Sequence, residues 1–254
     1  MSEKLRILNV FGITPVGNGV SAGMDFFMPK FKSYGMYSKK MGKTIMEAFS
    51  KSYGMSQEDL ADLADKLVLY VTAMKGEKFV ENNDLNLLQL FLCLDSFFIN
   101  DCVDLDDKID AFVENYLVFD DKMTPGICLC CNDYIKVNSG IKLALDHDTC
   151  GIFFNKSGKG TKGWDIRACV IDEDYSGYVH ISMCYNKAHN ADGTIYCGDK
   201  LTQLLVLPVK HTEPVEITEE EYNKLMHETE RGAAGFGSSD VKHYTHINLL
   251  VIFY

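Results

Sequence analysis

Between Pro29 and Pro125 the chain holds no proline, and its apolar residues fall at helical spacing. Ser56 and Asp59 form a capping sequence ahead of Leu60, Leu63, Leu67, Val71 and Met74, which share one helical face. Asp84 can cap a second helix through Leu85, Leu88, Phe91, Leu92 and Asp95, and Asp104 a third through Leu105, Ile109, Phe112, Val113 and Tyr116. An earlier helix is expected over residues 38–52. The Met and Phe stripes keep the helical period, so they read as core and not as cofactor contacts.

After Pro125-Gly126 the period shortens to that of strands. Residues 127–131, 134–137, 141–145, 151–154, 168–173, 177–185 and 200–209 are short runs separated by turn-forming residues such as Asn-Ser-Gly and Asp-His-Asp. A further strand is expected over 5–11, a hairpin turn at Asn190-Ala191-Asp192-Gly193, and a short helix from Thr218 to His227 with Thr218 and Glu221 as its capping box. No helix alternates with these strands, which disfavours a parallel sheet and points to an all-β barrel or sandwich. The expected organisation is a barrel made of 1–30 and 124–240, a helical insertion over 31–123, and an apolar tail, 241–254, able to add a strand. Pro29 and Pro125 can lie close together, which would leave the insertion as an appendage on a barrel loop.

A length of 254 residues with 46% apolar content is enough for a substantial core. The net charge of −11 argues against a nucleic-acid surface. The acid is uneven: the span 31–123 holds 10 Lys, no Arg and 17 Asp plus Glu, a net of −7 against −4 for the remainder, so a phosphate site is expected outside it. The nine cysteines show no framework spacing, and Cys128, Cys130 and Cys131 lie in what reads as a buried strand; the thiols are expected to be reduced and the compartment cytoplasmic. The first residues run into Ile7-Leu8-Asn9-Val10 without an apolar core of export length, and no stretch is long enough to span a membrane.

Five places carry candidate chemistry. Val170-Ile171-Asp172-Glu173-Asp174-Tyr175-Ser176-Gly177 reads as strand, tight turn, strand, and sets a carboxylate that can orient a water beside an aromatic wall. Asn155-Lys156-Ser157-Gly158 offers backbone amides, a hydroxyl and ammonium groups to a phosphate. Asp25, after the flexible Gly23, can hold a hydrated cation or simply be an acidic turn residue, and Gln203 can bond a phosphate oxygen, a water or a strand edge. The glycine-rich stretch from Arg231 to Ser239 surrounds Phe236 and can fold over a ligand, with Phe236 on a base and Arg231 on a phosphate. His243 and His246 read as structural or exposed histidines more readily than as metal ligands.

Taken in order, Ala22-Gly23-Met24-Asp25, Lys156-Ser157-Gly158, residues 170–177, Gly198-Asp199-Lys200-Leu201-Thr202-Gln203-Leu204 and residues 230–239 resemble the five motifs of the homotrimeric dUTP diphosphatases. The resemblance covers about 5–30 and 125–240. It implies an all-β jelly-roll core of the β-clip type, carrying the helical insertion, in a homotrimer whose active sites are shared between subunits. It implies hydrolysis of dUTP to dUMP and pyrophosphate, with Asp172 activating the water that attacks the α-phosphorus and Asp25 helping to place Mg2+. Lys156, Ser157, Gly158 and Gln203 would bind phosphates, Tyr175 would pack under the deoxyribose, and main-chain groups around Ile171 would read uracil. Arg231, Phe236, Gly237, Ser238 and Ser239 would form the closing arm.

Two departures from the family pattern stand out. Asn155-Lys156-Ser157 stands where the second motif usually reads Pro-Arg-Ser, Lys156 giving a point charge in place of a fork, and Asp240 stands where the arm motif usually continues into Thr-Gly. A dCTP deaminase or a diphosphatase of altered base preference would use the same barrel, but Asp172 and the Phe236 arm speak for hydrolysis. A third reading has a nucleotide-responsive protein meeting a protein partner through the acidic insertion.

Overall fold

The computed structural model describes residues 4–17, 20–30, 38–75, 84–94, 105–187 and 193–226. They fall in two compact units, Met1–Lys210 and His211–Tyr254.

Among the described residues the first unit has twelve strands: β1 (Arg6–Asn9), β2 (Met24–Phe27), β3 (Leu117–Phe119), β4 (Pro125–Cys128), β5 (Tyr134–Asn138), β6 (Ile141–Ala144), β7 (Thr149–Asn155), β8 (Trp164–Ala168), β9 (Val170–Ile171), β10 (His180–Tyr185), β11 (Thr194–Tyr196) and β12 (Lys200–Pro208). They pair antiparallel in four small sheets, β1-β6, β5-β10-β8, β11-β4-β3 and β2-β12-β7-β9. This is the all-β core expected from the period-two stretches, consistent with the jelly roll that the motif resemblance implies. In the last sheet the alternation of side chains sends Phe26 and Phe153 inward, where their rings meet edge to face at 5.1 Å. Such a pair adds about 0.5–1.5 kcal/mol beyond its buried area. It fixes β2 against β7 and turns Asp25, the residue before Phe26, toward the opposite face.

Among the described residues four α-helices lie between β2 and β3: α1 (Ser38–Tyr53), α2 (Gln57–Lys75), α3 (Asp84–Cys93) and α4 (Leu105–Ala111). Ser56 and Asp59 cap α2 reciprocally, the Asp59 amide donating to Ser56 Oγ at 3.0 Å and the Ser56 amide to Asp59 Oδ2 at 3.2 Å. All side chains from Asn86 to Leu94 are buried, so α3 is enclosed on every side from Asn86 onward.

The helices do not form an appendage. Gln89 of α3 donates from Nε2 to the Phe11 carbonyl at 2.7 Å, and Phe11 packs edge to face on Phe49 of α1 at 5.2 Å, so helices and strands share one core. The third helical stretch reaches Tyr116 as its spacing suggests, but the helices do not fill the 31–123 range. After a π turn over Phe112–Tyr116 the chain enters β3, which pairs with β4 inside the 31–123 range. The two ends of the excursion are stapled by consecutive amides: Cys197 donates to the Pro125 carbonyl and Gly198 to the Met28 carbonyl, each at 2.9 Å.

In the second unit, residues 211–218 run without regular structure into α5, Glu219–Leu225. Thr218 and Glu221 make the expected capping box, and the Thr218 bonds hold the Glu221 carboxyl below its ordinary range. The turn at 190–192, the arm residues Arg231, Phe236, Gly237, Ser238 and Ser239, and the tail 241–254 lie outside the described residues.

Candidate active site

Strand β12 lies between β2 and β7, and its register sets Gln203 opposite Asp25 on one side and Phe154 on the other. Gln203 Nε2 donates to the Asn155 carbonyl at 3.2 Å, tying β12 to the point where β7 gives way to the Lys-Ser-Gly loop. Lys156 then reaches back to Asp25 Oδ1, while Lys200, the first residue of β12, approaches Asp25 Oδ2 at 2.7 Å. Burial by itself raises the Asp25 pKa, but the ammonium groups of Lys156 and Lys200 outweigh it and hold the carboxyl below its usual range.

The loop itself is one helical turn over Ser157–Gly160, with the amides of Gly160 and Thr161 bonded to the carbonyls of Lys156 and Ser157. The first amides of such a turn, those of Ser157 and Gly158, have no intrahelical acceptor. A Cβ built on Gly158 would meet nothing within 4 Å, so there is open space where a ligand can approach the backbone. Lys159 tucks underneath, its Nζ 3.5 Å from Asp199 and over the Trp164 ring; burial pushes its ammonium below the ordinary lysine value against the pull of Asp199.

Asn155 stands where the family pattern has Pro. Its side chain accepts from the Ile166 amide at 2.9 Å and donates to Asp165 at 2.6 Å, and Asp165 also accepts from Asn186 at 3.0 Å. These bonds lash the loop to β8 and so supply by side-chain contact the rigidity a proline ring would give. Asn155 and Lys200 had no assigned role in the motif reading. The signal was their position, one before the loop and one at the start of the strand that carries Gln203.

The second group lies elsewhere on the same sheet. Gly151 pairs with Ile171 and Ile152 with Val170, so Asp172 follows β9 beside Cys150, at the beginning of β7. Lys156, Ser157 and Gly158 follow its other end, roughly 20 Å away at the usual rise per residue. Ile171 is buried and Asp172 exposed. The turn closes with the Tyr175 amide donating to the Asp172 carbonyl at 3.2 Å, and Tyr175 Oη donates to the Tyr178 carbonyl at 2.7 Å. Tyr175 lies across Gly177, where an added Cβ would come within 2.5 Å of the phenol oxygen. On the turn's flank Glu173 meets His147 Nδ1 at 2.8 Å, which raises the imidazole pKa together with Asp148.

The structure therefore gathers Asp25, Lys156, Ser157, Gly158 and Gln203 into an anion cradle, with Lys200 as an added member. It gathers Ile171, Asp172 and Tyr175 into a separate hairpin. Between them runs one sheet face. Residues paired directly across antiparallel strands share a face, so Phe154, Ile152, Leu205, Leu207 and Val170 line it, with Phe154, Val170 and Leu207 exposed.

Mg2+, implied by the motif resemblance, finds no ready cage here. Among the described residues no three His, Cys, Asp or Glu side chains gather as ligands, and both Asp25 oxygens face ammonium groups. That donor set suits a hydrated ion carried in on phosphate oxygens and met by Asp25 through water.

The profile of the dUTPase family matches residues 119–240. A mitochondrial deoxyuridine 5'-triphosphate nucleotidohydrolase of Dictyostelium discoideum is 35% identical over 103 residues, 40% of this chain and 53% of that protein. The deoxyuridine 5'-triphosphate nucleotidohydrolase of Idiomarina loihiensis is 43% identical over 70 residues, 28% of this chain and 41% of that protein. The chain thus spans about half the length, or less, of these curated relatives. A solved mutant of the phage 80alpha dUTPase aligns over 94% of this chain and 99% of its own, at 14% identity and a TM-score of 0.46. The cradle and the Asp-Tyr hairpin are thus both built from residues in or beside the segment 119–240, and that segment carries the dUTPase-family domain.

Proposed function

We propose that this chain hydrolyses dUTP to dUMP and pyrophosphate in sites assembled between copies of itself in a homotrimer. The observation that carries the reading is the separation along β7: Asp172 and the cradle stand at opposite ends of one partly exposed apolar face. One chain cannot bring both to the same phosphate. A neighbour that covered the apolar face in a head-to-tail ring would deliver its own hairpin to this chain's cradle.

In that assembly Lys156 and Lys200 offset the charge of the triphosphate, the amides of Ser157 and Gly158 donate to its oxygens, and Gln203 fixes the loop that carries them. Asp172 of a partner subunit takes a proton from the water that attacks the α-phosphorus; the bond from that phosphorus to the bridging oxygen breaks and pyrophosphate leaves. Asp25 would help to hold Mg2+, whose charge would ease the departure of pyrophosphate. Tyr175 packs against the deoxyribose and the backbone around Ile171 meets uracil. Arg231, Phe236, Gly237, Ser238 and Ser239 close over the bound nucleotide, with Phe236 on the base. In this reading the enzyme works on the soluble nucleotide pool of the cytoplasm.

The test is pyrophosphate release from a panel of deoxynucleoside triphosphates with magnesium. Wild type is expected to prefer dUTP, and Asp172→Asn to lose about 10²–10⁴-fold in kcat, the usual worth of a positioned general base. A wild type that leaves dUTP intact, or prefers dCTP, overturns the reading.

A further inference from the structure

Tyr175 is held by a residue outside all five motifs. Its phenol donates to the carbonyl of Tyr178, and Tyr178 is fixed from several sides. The following residue, Val179, is buried; its amide donates to the Ile141 carbonyl at 2.8 Å and its carbonyl accepts from the Ser139 amide at 3.0 Å. The Tyr178 ring packs on Phe11 at 5.4 Å between centroids and lies under Lys142 Nζ at 4.8 Å. Its hydroxyl is 2.6 Å from Ser52 Oγ.

The direction of that last bond follows from counting protons. Ser52 has one hydroxyl hydrogen, and it goes to the Ala48 carbonyl at 2.7 Å. The Ser52 oxygen is therefore the acceptor, and Tyr178 is the donor. The result is a directed chain, Tyr175 to the Tyr178 backbone and Tyr178 to Ser52, that ends on helix α1. That helix is itself anchored by Phe49, which is fully buried against Phe11.

We propose that Ser52 is a positioning residue for nucleotide recognition. Through Tyr178, helix α1 sets the place of Tyr175 and with it the discrimination between deoxyribose and ribose. The inference rests on the dUTP reading and deepens it, by giving the helical segment a role in sugar selection. Loss of the Ser52 acceptor frees the Tyr178 hydroxyl and lets its backbone relax toward the hairpin. The wall formed by Tyr175 loosens, and a 2'-hydroxyl is excluded less strictly.

The experiment compares kcat/KM for dUTP and for UTP in wild type, Ser52→Ala, Tyr178→Phe, the double variant and Ser52→Thr. The dUTP-over-UTP ratio is expected to fall about five-fold in each single variant, what one neutral hydrogen bond is worth. The double variant falls no further than either single one, because both remove the same bond, and Ser52→Thr restores the ratio. An unchanged ratio in both single variants, or falls that multiply in the double variant, overturns the proposal. A wild type without dUTP turnover would defeat the underlying reading instead, and that failure is visible before any variant is compared.

Discussion

Asp172 and Ser157 stand at opposite ends of β7, one beside Cys150 at its start and the other just past Asn155 at its close. Most of what the chain is expected to do follows from that distance. In the proposed assembly a second copy would cover the partly apolar strip between them, where Val170 and Phe154 are exposed. Val170→Glu places a charge on it at a position that is 62% exposed in the single chain, so the fold should survive while assembly does not. Light scattering is expected to show monomers, and dUTP turnover to vanish with them. An active monomer would contradict the arrangement.

Two glycines separate ligand space from packing. None of the described residues opposes a Cβ at Gly158, so Gly158→Ala should shift stability by no more than about 0.5 kcal/mol while weakening dUTP binding, because the methyl group enters the space beside the phosphate amides. At Gly177 a Cβ collides with Tyr175 at 2.5 Å, and Gly177→Ala should displace that ring and lower kcat/KM for dUTP by about ten-fold or more. Thermal unfolding and titration with a non-hydrolysable dUTP analogue distinguish the two. Gly158→Ala with unaltered binding would remove the cradle from the account.

The Asp25 clamp predicts a pH dependence with a fixed sign. Its carboxyl is held below the ordinary value of 3.8, so its contribution to stability is complete above that pH and is lost as acid protonates the folded form. Asp25→Asn should therefore be less stable than wild type near neutrality, by about 1–2 kcal/mol for charge-assisted bonds partly open to solvent. The gap should close as the pH falls below the ordinary carboxylate range. Urea unfolding at several pH values measures it, and a gap independent of pH would mean that the two lysines do not act through the ionised form.

Much of the fold could be read locally. The capping pairs Ser56 with Asp59 and Thr218 with Glu221 are short-range chemistry, and both appear in the structure. Strand β3 was not legible, because its three residues are defined by pairing with β4 and not by their own spacing. The place of the helices was missed for a similar reason: the ties of Gln89 to Phe11 and Ser52 to Tyr178 join residues far apart in sequence. At the site, motif order named Asp25, Ser157 and Asp172 but not the distance between the last two. That distance depends on the β7–β9 register, which pairs Gly151 with Ile171. Lys200 escaped notice because its partner, Asp25, comes from a strand 175 positions earlier in the chain.

The most direct measurement is subunit complementation. An Asp172→Asn protein and a Ser157→Ala, Gln203→Ala protein are each expected to be nearly inactive. After unfolding and refolding together in equal amounts, random assembly leaves about a quarter of the sites with an intact hairpin facing an intact cradle. Turnover of dUTP should then recover to about a quarter of the wild-type rate. Mixed trimers that form but stay inactive would contradict the claim that Asp172 and the cradle act across a subunit boundary.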